Sequence, residues 1–270
     1  MAETHAQAAA AHGPLVVQSL TQMMTGGRWK VEELHSYDHH LLLWFTKGQG
    51  RVVVGGITRV FGPATIIFIP AGMSHAIDAK AGVFGTAARI ADHPALEMPN
   101  KAVHLRIRDV IEHGEFVGLF ENLQKEAARV EATGHGQACR CHAGLMGVWL
   151  DRQAEGQSNQ RAPSAAERLA ARYCDLLEVR FASGASVQDL AAELDVTATH
   201  LTRCCRQACG RTAHELLADR LTWEARDLLQ STELPINRIA RDLGYTSAAY
   251  FTRSFQARTG KTPSQFRKAG

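Results

Sequence analysis

The sequence predicts an α+β protein of two domains, with short antiparallel strands in its N-terminal half and only helices in its C-terminal half. Short apolar runs separated by Gly- and Pro-containing turns lie between Trp29 and about Arg89, and apolar residues at helical spacing replace them after Pro99. The last 75 residues carry twelve basic and six acidic side chains, whereas eleven of the thirteen histidines lie at or before His142. This uneven chemistry indicates two domains with different partners.

The overall composition is that of an ordinary globular protein. Of 270 residues, 45% are hydrophobic and 21% charged, which excludes disordered, collagen-like and disulfide-scaffold proteins. The longest apolar runs fall far short of the roughly 20 residues that a membrane helix needs, so no membrane partner is expected. Residues 1–14 are predicted to be a disordered tail without a secretory signal, which favours a cytoplasmic location and free thiols for the six cysteines.

The N-terminal half is predicted to be a small antiparallel barrel or sandwich over residues 15–98. Its strands are read from LLLWF, RVVVGG, ATIIFIP and GVFGTAARI, which are separated by turns such as Lys47-Gly48-Gln49-Gly50. Residues 99–152 are predicted to be a helical dimerisation region, because Phe116, Leu119, Phe120 and Leu123 recur at helical spacing. Such a stripe packs either on the barrel or on a second copy of the chain, and the sequence leaves both open.

The polar segment at residues 153–163 is predicted to be a linker, and residues 164–270 a compact helical domain. Helix starts are indicated by the capping-box pattern at Ser164 and Glu167, and again at Ser186 and Asp189. Further boundaries are predicted at Thr197, Gly210, Thr212, Pro235, Gly244, Ser247, Gly260 and Thr262. These boundaries give seven helices.

An internal repeat is the most informative feature of this domain. Ala191 and Leu194 match Ala240 and Leu243 at an offset of 49 residues, and Thr202, Arg203 and Gly210 match Thr252, Arg253 and Gly260 at an offset of 50. Each copy has a short helix, a tight turn and a longer helix, which is the helix-turn-helix arrangement. Second helices near residues 198–208 and 248–258 are therefore predicted to enter the major groove of double-stranded DNA.

The outward residues of the second helices are the candidate DNA contacts. Base edges are expected to be read by Thr199, Thr202, Arg203, Tyr250 and Arg253. Phosphates are expected to be contacted by Arg206, Arg211, Arg258, Lys261 and Thr262. The alternative, that these charges form only a solvated helical face, is disfavoured because the two motifs occur in tandem in a basic segment.

Residues 186–268 closely resemble the double helix-turn-helix domain of the AraC/XylS family of transcription regulators. The most specific matching residues are Ile239-Ala240, Leu243-Gly244-Tyr245, Tyr250-Phe251, Arg253-Ser254-Phe255 and the run from Gly260 to Arg267. Ala248 and Ala249 depart from the family, which often has polar base readers there. The resemblance implies two recognition helices in successive major grooves, a promoter DNA partner and no enzymatic activity. It implies an effector-responsive activator that contacts RNA polymerase, although repressors also occur in the family.

Residues 35–78 resemble the cupin barrel that often precedes this DNA-binding domain. His35-Ser-Tyr37-Asp38-His39-His40 would begin the first cupin motif, and the second would run from Gly62-Pro63 to His75. Tyr37 and Leu41 stand at two of the four metal-ligand positions, so no catalytic residue and no cofactor are assigned. A small-molecule effector is expected in the barrel, lined by His35, Tyr37, His39, Leu41, Phe45 and His75.

Two alternatives for the N-terminal half stay open. Strand alternation puts His35 and His39 on one face, so these residues and His75 could rebuild a metal site, giving a metal-responsive regulator or a metal-dependent cupin enzyme. The second alternative is a barrel whose interior is filled by side chains and whose only role is to form a homodimer. Cys139-Arg-Cys141-His142 lacks the usual structural zinc spacing, and helical packing is predicted for it, as is a buried position for Cys204 and Cys205.

Overall fold

The computed structural model describes residues 13–79, 82–156 and 161–269. Within these residues the N-terminal half contains eight β-strands: β1 (Leu15–Ser19), β2 (His39–Lys47), β3 (Gly50–Val54), β4 (Ile57–Phe61), β5 (Thr65–Ile69), β6 (His75–Ala79), β7 (Phe84–Ala91) and β8 (Val103–Arg106). Two short helices, α1 (Leu20–Met23) and α2 (Trp29–Glu32), lie between β1 and β2, and a hairpin of α3 (Val110–Ala127) and α4 (His135–Gly156) follows β8.

The strands form two antiparallel sheets, with the orders β1-β7-β2-β5-β8 and β4-β3-β6. Among the described residues no strand pairing joins the two sheets, so the closed cupin-like barrel expected from the sequence is not confirmed. The space between the sheets is filled by apolar side chains. Leu41 and Phe45 of β2 belong to this core, and the Phe45 ring stacks on Phe61 with centroids 3.8 Å apart.

The α3–α4 hairpin packs on the outer face of the five-stranded sheet. Strand alternation turns Leu42 to this face, opposite Leu41, where it joins Phe116, Phe120 and other residues of the hairpin in one buried cluster. Packing within the chain therefore accounts for the apolar stripe of α3. In contrast, Leu145 and Val148 of α4 are 58% and 48% exposed.

The C-terminal half consists of α-helices joined by short turns. They are α5 (Ala165–Arg180), α6 (Val187–Glu193), α7 (Ala198–Cys209), α8 (Ala213–Ser231), α9 (Ile236–Asp242), α10 (Ala248–Thr259) and α11 (Pro263–Ala269). Complete capping boxes begin α5 and α6, as predicted at Ser164 and Ser186, and another begins α8 at the predicted boundary Thr212. Gly210 and Gly260 end α7 and α10 in the left-handed conformation.

The predicted linker and tail are only partly described. Helix α4 continues through Gly156, so residues 153–156 of the predicted linker are helical, and residues 157–160 lie outside the described residues. The tail predicted at residues 1–14 also lies almost entirely outside them, because the description starts at Gly13. In the described ranges no helix is both long and apolar enough to cross a lipid bilayer.

The two halves share one buried core rather than meeting only at polar surfaces. Leu34, Val53 and Ala76 of the N-terminal half belong to the same buried cluster as the cores of the helix-turn-helix motifs. The backbones approach closely at Gly56, where an added Cβ would lie 2.7 Å from the carbonyl oxygen of Ala170. Only a glycine fits this contact without a shift of the backbone.

Candidate nucleic-acid interface

Helix α7 presents a polar outer face because its inner face is fixed by buried residues. Thr197 caps the helix by accepting a hydrogen bond from the backbone N–H of His200 at 3.2 Å, and Leu201 beneath it is fully buried. Cys204 and Cys205 are also buried, as predicted, and Cys205 carries a thiol whose pKa burial raises to about 12. On the other side Thr199 and Arg203 are exposed and Thr202 is half-buried.

Helix α10 repeats this arrangement in the second motif. Ser247 caps it through the backbone N–H of Tyr250 at 3.2 Å, and Phe251 occupies the position of Leu201 with 1% exposure. The Tyr250 ring is 53% exposed and Arg253 is exposed. The first turns of α7 and α10 therefore both offer side chains that can reach a groove.

The turn between the helices of each motif requires the same backbone conformation. Asp195 in the first motif has φ of 59° and Gly244 in the second has φ of 76°. These positions are equivalent in the repeat at its offset of 49 residues. Both turns use the left-handed region, which glycine adopts without strain and aspartate adopts more often than most residues.

The residues predicted to contact phosphates divide into two groups. Arg206 and Lys261 are exposed, and Thr262 begins the turn before α11, where its hydroxyl accepts from the Gln265 N–H at 3.3 Å. Arg211 and Arg258 instead both bind the carboxylate of Asp219 on α8. Arg211 also donates to the backbone carbonyl of Glu32 at 3.0 Å. Arg211 therefore contacts the N-terminal half, and Arg258 shares its carboxylate partner.

Helix α8 supplies aromatic and charged contacts to the N-terminal half. The indole Nε1 of Trp223 donates to the carbonyl of Lys30 at 3.2 Å, and the indole ring stacks on His35 with centroids 4.7 Å apart. Arg226 pairs with Glu33 at 2.8 Å. Burial raises the pKa of the Glu33 carboxyl to about 7, although the Arg226 charge opposes that shift.

The predicted effector residues do not form one pocket. His35 and His75 are fully buried, and their Nδ1–H groups donate to the carbonyls of Glu33 and Met73. Burial lowers the pKa of His75 to about 4 and lowers that of His35 as well, so both rings are neutral. Leu41 and Phe45 are core residues between the sheets.

Tyr37 and His39, the remaining predicted effector residues, line a cavity of about 350 Å³ between the N-terminal half and α8. The two rings stack with centroids 4.6 Å apart. The walls also include residues that the sequence reasoning missed, namely Trp29, Lys30, Arg89, Trp223 and Asp227. Two of these come from α8, and no motif in the sequence indicated that this helix would face the strands.

The histidines of the predicted alternative metal site are not arranged as a ligand set. Within the described residues, only Glu126, His135 and Cys139 bring one ligand atom each within 4.8 Å of one another. That group lies on the α3–α4 hairpin, and His35, His39 and His75 do not form an equivalent one.

A family defined as a helix-turn-helix domain matches residues 190–269. The probable transcription factor PqrA of Proteus vulgaris is 32% identical over 87 residues, which cover 32% of this chain and 71% of that protein. The arabinose operon regulatory protein of Escherichia coli (strain K12) is 29% identical over 85 residues, covering 32% of this chain and 29% of that protein.

Among solved structures, the C-terminal domain of AraT, a response regulator from Geobacillus stearothermophilus, is 30% identical and covers 41% of this chain and 89% of that one, with a TM-score of 0.37. Across five curated regulators that include the arabinose protein, the chain spans between 25% and 37% of their lengths.

Proposed function

Because the chain belongs to the AraC/XylS-type family of DNA-binding transcription regulators, we propose that it reads a promoter site with α7 and α10 in two successive major grooves. The family and the matched proteins are regulators, not enzymes. The observation that carries the proposal is the repeated geometry of the two capped helices. Each has its core residue, Leu201 or Phe251, buried beneath an exposed first turn.

We assign base reading in the first groove to Thr199, Thr202 and Arg203, and in the second to Tyr250 and Arg253. Arg203 is exposed near the start of α7, and a guanidinium can bond guanine bidentately. Its Nη2 lies 2.9 Å from His200 Nδ1, a contact that holds the guanidinium on the outer face of α7. Arg206, one turn further along, and Lys261 are assigned to phosphates. Arg211 and Arg258 would have to break their ion pairs with Asp219 before they could contact a phosphate.

The base-reading assignment is tested by comparing Arg203→Ala with Arg206→Ala, a matched loss of one exposed arginine from the same helix. A binding site is first selected from random duplexes with the wild-type protein, and affinities are then measured by fluorescence anisotropy on that site and on a scrambled one. Arg203→Ala is expected to lose about 1–3 kcal/mol on the selected site and little on scrambled DNA. Arg206→Ala should weaken binding to the selected and the scrambled duplex equally and should reduce the salt dependence of the affinity. An equal loss on both duplexes for Arg203→Ala would contradict base reading.

We further propose that the cavity between Tyr37 and Trp223 binds a small organic effector. Its volume of about 350 Å³ lies in the range typical of ligand sites, and aromatic rings are combined with the polar groups of Arg89 and Asp227 in its walls. Because both halves supply wall residues, a ligand bound here would favour the arrangement in which they are docked. Its effect on DNA binding is limited by its difference in affinity for the docked and undocked states.

The cavity assignment is tested by thermal shift of the full chain against a panel of small metabolites. A ligand that raises the melting temperature of the wild type should lose that effect in Arg89→Met, because Arg89 lines the cavity. Arg59→Met is the matched control, since Arg59 is another partly buried arginine whose pKa burial lowers, on β4 away from the cavity walls. A ligand whose shift survives in Arg89→Met but disappears in Arg59→Met would contradict this site.

We also propose a homodimer that associates through the exposed face of α4. Leu145 and Val148 lie about one turn apart on this face and are about half exposed, so a second copy of α4 could bury both side chains. Sedimentation of the wild type and of Leu145→Glu measures this association. A wild type that sediments with the same mass as the Leu145→Glu variant would contradict the proposed dimer.

In vitro transcription from the selected site decides between activation, which involves RNA polymerase, and repression.

A further inference from the structure

A compact group of ligand-type side chains lies at the connected end of the α3–α4 hairpin. Glu126 lies in the last turn of α3, and His135 is the first residue of α4. Cys139 follows His135 by one helical turn, so the two side chains share a face of α4. The three residues thus come from both helices, on either side of the connection at residues 128–134.

The nitrogen–oxygen and nitrogen–sulfur distances within this group are close in length to the edges of a zinc coordination tetrahedron. His135 Nδ1 lies 3.2 Å from Glu126 Oε1, and Cys139 Sγ lies 3.7 Å from Nδ1 and 3.6 Å from Nε2 of the same ring. Bond lengths of about 2.0–2.1 Å to nitrogen and oxygen and about 2.3 Å to sulfur give tetrahedral edges of roughly 3.3 Å for N···O and roughly 3.6 Å for N···S. The three ligand atoms lie within 4.8 Å of one another, so they can share one ion once the imidazole turns to direct one ring nitrogen toward both the carboxylate and the sulfur.

Burial and charge also suit a divalent cation. Glu126, His135 and Cys139 are 6%, 9% and 2% exposed, and carboxylates are seldom buried this deeply unless paired or metal-bound. The nearest fixed cation, Arg129, has its Nη1 3.7 Å from Glu126 Oε2, and its side chain is 67% exposed. One carboxylate, one thiolate and one neutral imidazole would neutralise an M²⁺ ion.

We propose that Glu126, His135 and Cys139 bind one divalent ion of the Zn²⁺ class, with the fourth position taken by water. Mixed oxygen, nitrogen and sulfur donors are the set that Zn²⁺ accepts, whereas Mg²⁺ and Ca²⁺ require oxygen ligands. On binding, the Sγ–H bond breaks, its proton leaves to solvent, and an Sγ–metal bond forms without any change of oxidation state. The ion links the end of α3 to the start of α4 and so fixes the hairpin that covers the five-stranded sheet.

The proposal does not depend on DNA binding or on the effector cavity. In the metal-free protein the same three groups form a hydrogen-bonded chain, in which the imidazole donates from Nδ1 to the Glu126 carboxylate and accepts at Nε2 from the Cys139 thiol, 3.6 Å away. The experiment must therefore separate a metal site from a hydrogen-bonded cluster that only supports packing.

The test is a titration of the metal-stripped full chain with Co²⁺, a spectroscopic substitute for Zn²⁺. We expect one equivalent to bind, with near-ultraviolet absorption from the cobalt–thiolate bond and visible bands of tetrahedral intensity, both displaced by Zn²⁺. Cys139→Ser should lose the near-ultraviolet band, and Glu126→Gln should weaken binding by about tenfold or more. The matched control is Cys141→Ser, because Cys141 is an exposed thiol on the same helix and should leave the titration unchanged.

Three results would overturn the proposal. They are a wild-type titration without the thiolate band, a band that persists in Cys139→Ser, and a band that is lost in Cys141→Ser. Circular dichroism checks that each variant is folded. If Cys139→Ser is unfolded, the decision rests on Glu126→Gln, whose side chain keeps the size of the original and can still accept from His135. Affinity for the selected DNA site is measured separately, so failure of the metal site and failure of the proposed function are distinguishable.

Discussion

Single glycines decide how closely the second helix-turn-helix motif packs on the rest of the chain. Gly244 and Gly260 have nearly the same φ, 76° and 73°. A Cβ on Gly244 would lie 2.7 Å from the carbonyl oxygen of Ala182 and 2.8 Å from the Cα of Gly184, whereas one on Gly260 would meet nothing within 4 Å. Alanine substitutions at the two positions can therefore be compared to distinguish the cost of a left-handed backbone from the cost of a steric clash.

Gly244→Ala is expected to be clearly more destabilising than Gly260→Ala. The left-handed conformation costs an L-residue about 1–2 kcal/mol, and this is the whole expected loss for Gly260→Ala. Gly244→Ala adds a clash against backbone atoms that cannot rotate away, for which overpacking costs of about 1–3 kcal/mol are typical. Urea unfolding of both variants measures the difference. Equal losses would mean that the contact between Gly184 and Gly244 relaxes freely.

At the scale of elements, the sequence predicted the helices of the C-terminal half and most of their ends, but not the face that α8 buries. Capping residues such as Ser186 and Thr212 and the repeat at 49–50 residues are local signals, so they located the boundaries of α6, α7, α8 and α10 correctly. For helix α8 the sequence predicted only a start at Thr212. Its buried Arg220 and Glu224 read as surface residues in a sequence, because charged side chains are rarely buried.

The buried ion pairs of α8 should be far more sensitive to substitution than the exposed pair of α9. Arg220 is 4% exposed and contacts Glu224 at 2.7 Å and Glu178 at 3.0 Å, so Arg220→Met leaves two carboxylates without their cation. A loss of about 3–5 kcal/mol is expected. Arg238→Met is the matched control, since Arg238 also pairs with a carboxylate four residues later, Asp242, but on the surface. Its expected loss is about 0.3–0.5 kcal/mol. Chemical unfolding midpoints that shift alike in both variants would contradict this account.

At the scale of the whole molecule, the division into a β-rich half and a helical half was predictable, but the way the halves join was not. The uneven charge and the change from strand to helix spacing are properties of whole segments. They predicted the β-rich half and the helical half that the structure contains. The interface depends on pairs such as Glu33 with Arg226 and Lys30 with Trp223, each separated by 193 residues. No local pattern specifies such pairs, and for the same reason Trp223 was missing from the predicted effector residues.

The same interface predicts a pH dependence that belongs to Glu33. Burial raises the pKa of this carboxyl to about 7 in the folded chain, above about 4.5 in the unfolded chain, so its contribution to stability is full below about pH 4.5 and is lost as the pH rises through 7. The charges that face it are those of Arg226, Asp219, Arg258 and Arg211. Buried His35 and His75 have lowered pKa values and act in the opposite direction, since their contribution is lost as the pH falls below about 6.5.

The contribution of Glu33 must therefore be measured as a difference between two proteins rather than as a single pH profile. We expect the free energy of unfolding of the wild type, relative to Glu33→Gln, to increase as the pH falls from 8 to 5, because Gln keeps the shape of the side chain and cannot ionise. Tryptophan emission reports on the interface in both proteins, since the Trp29 and Trp223 rings lie 6.2 Å apart within it. A difference that stays constant over this pH range would mean that Glu33 is already ionised in the docked arrangement, with Arg226 compensating fully for its burial.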